Sequence, residues 1–278
     1  IVFGDWSSDV CSSDLLGLES KKIPAAEIKS RVTDVLDKVQ LTGYEERFPS
    51  ELSGGQQQRL ALARMIAAKA DIFLMDEPLS NLDAMLRIDM RSELKHLHRE
   101  VGATTVYVTH DQVEALTLSD RIVVMNKGKI LQCDTPEMIY KKPGDLFVAK
   151  FVGSPVINLI KGKVERKGEI LSFINNDISL ELNNIPESTD LSGEVIAAVR
   201  AEDITLAKSP AGKQGQPFNV YSVLPVGSET IVAIRRGAIE LVIKLSGFAN
   251  IDVDDSLEIE IKSHKISFYN PETEKLIF

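Results

Sequence analysis

With 278 residues, 44% of them hydrophobic and 26% charged, the chain has the composition of a globular protein with room for two cores, which excludes a disordered or fibrous class. No apolar run approaches the roughly 18 to 20 residues that span a bilayer, so any membrane role comes through a partner; the net charge of -9 argues against a nucleic-acid binder. Two cysteines, Cys11 and Cys133, are too few for a disulfide framework or a metal site and fit a reducing compartment.

The first helix is expected over Ile28 to Val39, where Ile28, Val32, Val35, Leu36 and Val39 share one face. A second, rich in Ala, Leu, Arg and Gln, runs from Gln56 to Ala68. Ile72–Met75 (IFLM) and Thr104–Val108 (TTVYV) read as short strands of the kind that parallel sheets bury on both faces. Between them, the helix Ala84 to Glu100 offers Leu86, Met90, Leu94 and Leu97 to a core. His96 and His98, two apart on that helix, point to different faces and read as solvated. Helices between strands imply βαβ units and an α/β layer fold. After Asn158 the helical periodicity stops. Glu194–Arg200, Glu229–Arg235, Ile239–Leu245 and Leu257–Lys262 are strand-like runs separated by Gly, Pro, Asn and Asp. They predict an all-β domain, a small barrel, with no basic stripe or clustered aromatics for nucleic acid.

Three places carry chemistry. Gly54 and Gly55, in LSGGQQQR (Leu52–Arg59), lack a Cβ and open the Gln56 helix, so backbone amides can approach an anion there; a flexible turn before a helix is the plain alternative. Asp76 and Glu77 follow the apolar run IFLM at the carboxyl end of a strand, where α/β sheets bind ligands. There Asp76 can hold Mg²⁺ through water and Glu77 can polarise water for attack on phosphorus. His110 ends the next apolar strand and shares the same sheet edge.

In this order LSGGQ, IFLMDE, SNLD (Ser80, Asn81, Leu82, Asp83) and VTHD (Val108–Asp111) resemble the ATP-binding cassette family, the nucleotide-hydrolysing subunits of ABC transporters. The resemblance runs from about Leu16 to Gly153. It implies a signature at Ser53, Gly54, Gly55 and Gln56 that closes in trans over ATP bound by a second subunit. It also implies a magnesium-linked Asp76, a catalytic Glu77, a switch histidine at His110 and an interface loop at Ser80–Asp83. Two transmembrane permease subunits, and a solute-binding protein indirectly, are the further partners, with the chain peripheral at the cytoplasmic face of the membrane and no nucleic acid involved. FVGSPVINLI (Phe151–Ile160), VRAEDI (Val199–Ile204), VGSETIV (Val226–Val232) and YNPETEKLI (Tyr269–Ile277) look like the C-terminal OB-like, TOBE-type barrel of importers for maltose, related sugars and glycerol phosphate. Ala201 stands where that subgroup usually has proline, and polyamine, sulfate and iron importers carry similar barrels.

The family's G-x-x-x-x-G-K-[ST] phosphate loop does not occur. Gly128-Lys129, Gly162-Lys163 and Gly212-Lys213 are followed by Ile, Val and Gln. Asp5–Leu15 (DWSSDVCSSDL) fits nothing that follows it, and codons for it can be chosen to match a common sequencing-adapter oligonucleotide. The expected organisation is therefore an artefactual segment at 1–15, the C-terminal part of an ABC ATPase domain at 16–157 with its phosphate-loop half missing, and a β-barrel at 158–278. Such a chain is expected not to bind or hydrolyse ATP alone. Three other readings stay open: a cassette ATPase of DNA repair or chromosome organisation, against which no sustained heptad appears; a non-hydrolytic partner acting in trans; and a binding module centred on the barrel.

Overall fold

The computed structural model describes residues 24–67, 71–80, 82–168, 170–182, 193–207 and 217–278. Asp5–Leu15, Leu16 and Asn81 lie outside them. The chain forms two compact units, Ile1–Ser119 and Asp120–Phe278.

In the first unit, helix α1 (Ala25–Lys38) buries the stripe its sequence spells: Ile28, Val32, Val35, Leu36 and the following Val39 are all 5% exposed or less. Glu27 and Arg31 pair one turn apart on its exposed side. The helix stops where Gln40 adopts a left-handed φ of 57°. Helix α2 (Gly54–Ala67) brings Leu60, Ala63 and Ala67 to the same core, and helix α3 (Ala84–Val101) adds Met90 and Leu94. The side chains of Leu86 and Leu97 lie outside the described ones. His96 and His98 are exposed, as their spacing implies.

Strands β1 (Ile72–Asp76) and β2 (Thr104–Val108) pair in parallel, Asp76 opposite Val108. Their burial corrects an expectation. Phe73 is buried and Met75 and Tyr107 pack on the helical core, but Ile72, Leu74, Val106 and Val108 are 60%, 74%, 51% and 52% exposed. Alternate residues of a strand point to opposite faces, and among the described residues the sheet has two strands, with helices covering one face. Helix α4 (Gln112–Leu118) follows β2, capped by Asp111, whose carboxylate accepts from the Val113 and Glu114 amides.

The second unit opens with the hairpin β3 (Ile122–Asn126) and β4 (Lys129–Asp134) and two short helices, α5 (Pro136–Lys141) and α6 (Leu146–Phe151). Leu146, Ala149 and Ile157 share a core with Ile196, Ala198 and Tyr269, and the Tyr269 hydroxyl donates to the Pro143 carbonyl at 2.7 Å. Packing thus groups residues 120–157 with the strands that follow, although the helical pattern ends only at Asn158.

Strands β5 (Asn158–Lys167), β6 (Ile170–Ile174), β7 (Ser179–Leu182), β8 (Gly193–Val199) and β15 (Ser267–Tyr269) form an antiparallel sheet in the order β15-β8-β5-β6-β7. A second sheet runs β12-β11-β10-β13, from β10 (Phe218–Pro225), β11 (Glu229–Arg236), β12 (Ile239–Ser246) and β13 (Ser256–Leu257). β9 (Ile204–Leu206) pairs with β14 (Ile259–Ile261). The expected strand Leu257–Lys262 is therefore two: β13 pairs with β10 and β14 with β9, so the chain changes partner at Glu258. One core joins these sheets, with Phe173, Val232, Ile234, Leu241, Ile243 and Phe268 wholly buried. Gly162 on β5 is required there, since a Cβ would lie 2.5 Å from the Phe173 ring.

Candidate functional site

The LSGGQ segment forms the start of α2. Ser53 stands before the helix; its hydroxyl accepts from the Gln56 amide at 3.3 Å, and the Gln56 carboxamide oxygen accepts from the Ser53 amide at 2.9 Å. This reciprocal pair is a capping box. The Gln57 side chain donates to the Pro49 and Leu52 carbonyls and ties the helix start to the preceding turn. A Cβ on Gly54 would meet no atom within 4 Å, and its φ is not left-handed. Neither crowding by the described residues nor backbone conformation demands glycine at that position.

The second group sits at the carboxyl ends of β1 and β2. Asp76 closes β1 with its side chain exposed. Glu77 follows with a left-handed φ of 45°, uncommon for a residue with a side chain. It is held there by three hydrogen bonds: its amide donates to the Val108 carbonyl at 2.9 Å, and its carbonyl accepts from the Ser80 amide and hydroxyl at 3.2 and 2.9 Å. The turned backbone carries the Glu77 carboxylate to the next strand end, where Oε1 lies 3.0 Å from Nδ1 of His110. That hydrogen bond, and then the carboxylate charge, raises the His110 pKa above its ordinary 6.5. Both side chains remain open to solvent.

Ser80, Leu82 and Asp83 follow directly, Asn81 lying outside the described residues. Leu82 is buried, and the Asp83 carboxylate accepts from the Met85 amide at the start of α3. Among the described residues no hydrogen bond or ion pair links Ser53–Gln56 with Asp76, Glu77 or His110. The structure thus brings Glu77, His110 and Ser80 together and leaves the glycine-led helix start apart from them.

Four supporting residues had no place in the sequence reading of the site. Glu114, 3% exposed, accepts from the Tyr107 and Thr109 hydroxyls at 3.0 and 2.6 Å, and the Thr109 hydroxyl accepts from the Asp111 amide at 2.9 Å. Burial, then the charge of Glu114, pushes the Tyr107 hydroxyl pKa up. Arg87 reaches both the Leu82 carbonyl and Asp111. The D-x-x-E spacing of Asp111 and Glu114 was the available signal, since it matches a capping box; the fold instead turns Glu114 back onto β2.

Magnesium commonly binds through one or two carboxylates completed by phosphate oxygens and water. Among the described residues no group of three His, Cys, Asp or Glu side chains could hold a metal ion. Asp76 fits as a single carboxylate that a phosphate-bound ion could use.

An open helix start and an acid–histidine pair at the carboxyl ends of parallel strands define an α/β protein suited to phosphate chemistry. Similarity to known proteins narrows the class. The family model described as ABC transporter matches residues 7–80. The chain is 41% identical over 269 residues to the ABC transporter ATP-binding protein YurJ of Bacillus subtilis, covering 94% of this chain and 73% of that protein. It is 40% identical over 273 residues to the trehalose/maltose import ATP-binding protein MalK of Thermococcus litoralis, with 94% and 72% covered. To the sn-glycerol-3-phosphate import ATP-binding protein UgpC of Salmonella typhimurium it is 38% identical over 261 residues, with 92% and 71% covered. The chain belongs to the ATP-binding proteins of ABC transporters, with relatives in the sugar and glycerol-phosphate importer group.

Proposed function

We propose that this chain is an ATP-hydrolysing subunit of an importer for a sugar or sugar-like solute. The observation that carries the reading is the 3.0 Å Glu77–His110 hydrogen bond at adjoining strand ends, with Glu77 turned toward it by its own left-handed backbone. In this role the Glu77 carboxylate accepts a hydrogen bond from the attacking water and orients it toward the γ-phosphate. His110, the switch residue of the site, fixes that carboxylate through their hydrogen bond. Asp76 would hold the nucleotide's magnesium through water, and the ion would neutralise charge on the phosphates. Ser53, Gly54, Gly55 and Gln56 act in trans, their backbone amides approaching the γ-phosphate of ATP bound by a second subunit. Ser80–Asp83 lie where the two subunits meet. The β unit is the OB-like module of such importers, and two permease subunits and a solute-binding protein complete the assembly at the cytoplasmic face of the membrane. No described helix is long and apolar enough to cross a membrane.

These 278 residues contain no G-x-x-x-x-G-K-[ST] segment, so a polypeptide of these residues alone is expected to bind ATP weakly, and what it can still lend to a complete subunit is its helix start, in trans. An importer for a polyamine, sulfate or iron would use the same site. The test mixes this chain with a complete related subunit whose own signature has been disabled. Phosphate release is expected to rise on mixing and to fall back when Ser53→Arg blocks the helix start. Micromolar ATP affinity of this chain alone in a calorimeter would overturn the weak-binding half of the reading; no gain on mixing would overturn the trans half.

A further inference from the structure

Two loops meet the Glu77–His110 pair, and one side chain bridges them. The loop 80–83 begins on Glu77 through the two Ser80 hydrogen bonds and ends at Asp83, whose carbonyl accepts from the Arg87 amide at 3.0 Å. The loop that carries His110 is fixed on both sides of the histidine. Thr109 before it is held by Glu114; Asp111 after it caps α4 through Oδ1, at 2.7 and 3.2 Å from the Val113 and Glu114 amides. This leaves Asp111 Oδ2, which faces Arg87 Nη1 at 3.6 Å, while Arg87 Nη2 donates to the Leu82 carbonyl at 2.9 Å.

We infer that Arg87 is a positioning residue, fixing the loop 80–83 and the His110 loop in one frame so that the Glu77–His110 geometry is kept. The inference rests on the function proposed above and adds a residue to its machinery. Its basis is the fork of the guanidinium, whose two terminal nitrogens meet acceptors on different loops. A lysine would keep the charge but lacks the rigid planar fork that presents one nitrogen to each acceptor. A half-exposed ion pair of this kind contributes little stability; what the bridge supplies is relative placement. A force on Asp83 from a neighbouring subunit would therefore reach the His110 loop through Arg87.

The chain has four histidines, His96, His98, His110 and His264, and their imidazole NMR signals provide the test with three built-in controls. Spectra are recorded on the full chain at a pH where all four rings are neutral, so that altered charge does not act through titration. Arg87→Met and Arg87→Lys are both expected to shift the His110 signal and leave the other three in place. Asp111→Asn, which retains a capping side chain, should shift it in the same direction, and the double variant should add nothing further. If Arg87→Met lowers the melting temperature while the His110 signal stays put, Arg87 merely stabilises α3 and the inference fails; should Arg87→Met not fold, Asp111→Asn decides in the same way. Glu77→Gln separates this failure from that of the proposed function. His110 moved by Glu77→Gln but not by Arg87→Met overturns the role of Arg87 alone. His110 unmoved by Glu77→Gln removes the contact on which the proposed function rests.

Discussion

Strands β1 and β8 are both written in apolar residues, and they end in opposite surroundings. β8 buries five consecutive residues, Val195 to Val199, because β5 and β15 flank it and both of its faces are covered. Among the described residues β1 has one strand neighbour, and its side chains alternate between the helical core and solvent. The β unit closes its core with its own strands, whereas the α/β unit carries its polar site on a sheet that its helices cover on one face. An apolar run specifies an extended strand; the neighbours supplied elsewhere decide how many of its faces are dry.

The largest expected effect follows from this difference. Phe173, wholly buried and 6.0 Å from the ring of Phe268, should lose about 3–5 kcal/mol on replacement by Ala. Leu74→Ala, at a side chain 74% exposed, should cost less than about 0.5 kcal/mol. Urea unfolding of the full chain followed by fluorescence and circular dichroism measures both. Equal losses would break the comparison, because the sheet face would then be covered in solution.

A smaller effect separates stability from function inside the α/β unit. Ser53→Ala removes one arm of the capping box and should destabilise that unit by about 1 kcal/mol. Gly54→Ala meets open space and no left-handed backbone, so it should leave stability unchanged or raise it by up to about 1 kcal/mol. In the mixed phosphate-release assay both variants should nevertheless lose activity, Gly54→Ala because its methyl group fills the space kept for the partner's nucleotide. A Gly54→Ala chain that works as well as the native one would show that the glycine serves nothing outside the chain.

Much of this was legible in the residues. The α1 stripe, the α2 and α3 helices, the strand runs and the placing of Asp76, Glu77 and His110 at strand ends follow from local periodicity and from what ends each run. Burial of β1 and β2 was not, since it depends on surfaces distant in the chain. The split at Glu258 escaped because IEI and SL are equally strand-like, and only the choice of pairing partner separates them. Arg87, Thr109 and Glu114 went unread for a related reason: each acts through a contact to a loop or strand end that sequence spacing alone does not bring together.

The smallest effect concerns what moves titrating groups in the two units. His110 is raised by its hydrogen bond to Glu77, whereas Tyr140 in the β unit is pushed up to about 12 first by burial and only then by its bond to Glu202. Removing the partner should therefore act unequally. Glu77→Gln should return the His110 midpoint most of the way to 6.5, while Glu202→Gln should leave the part of the Tyr140 shift that burial causes in place. Each folded-state value lies above its unfolded one. The His110 contribution is fully present below its unfolded value of 6.5 and is lost as pH rises through the elevated folded value; for Tyr140 the corresponding loss runs from its unfolded value of 10.0 through about 12. His110 is mostly solvent-exposed, so its change is read by NMR titration rather than by melting. Were Glu202→Gln to bring Tyr140 back to 10.0, pairing would govern both units and the contrast between a buried group and a paired one would fail.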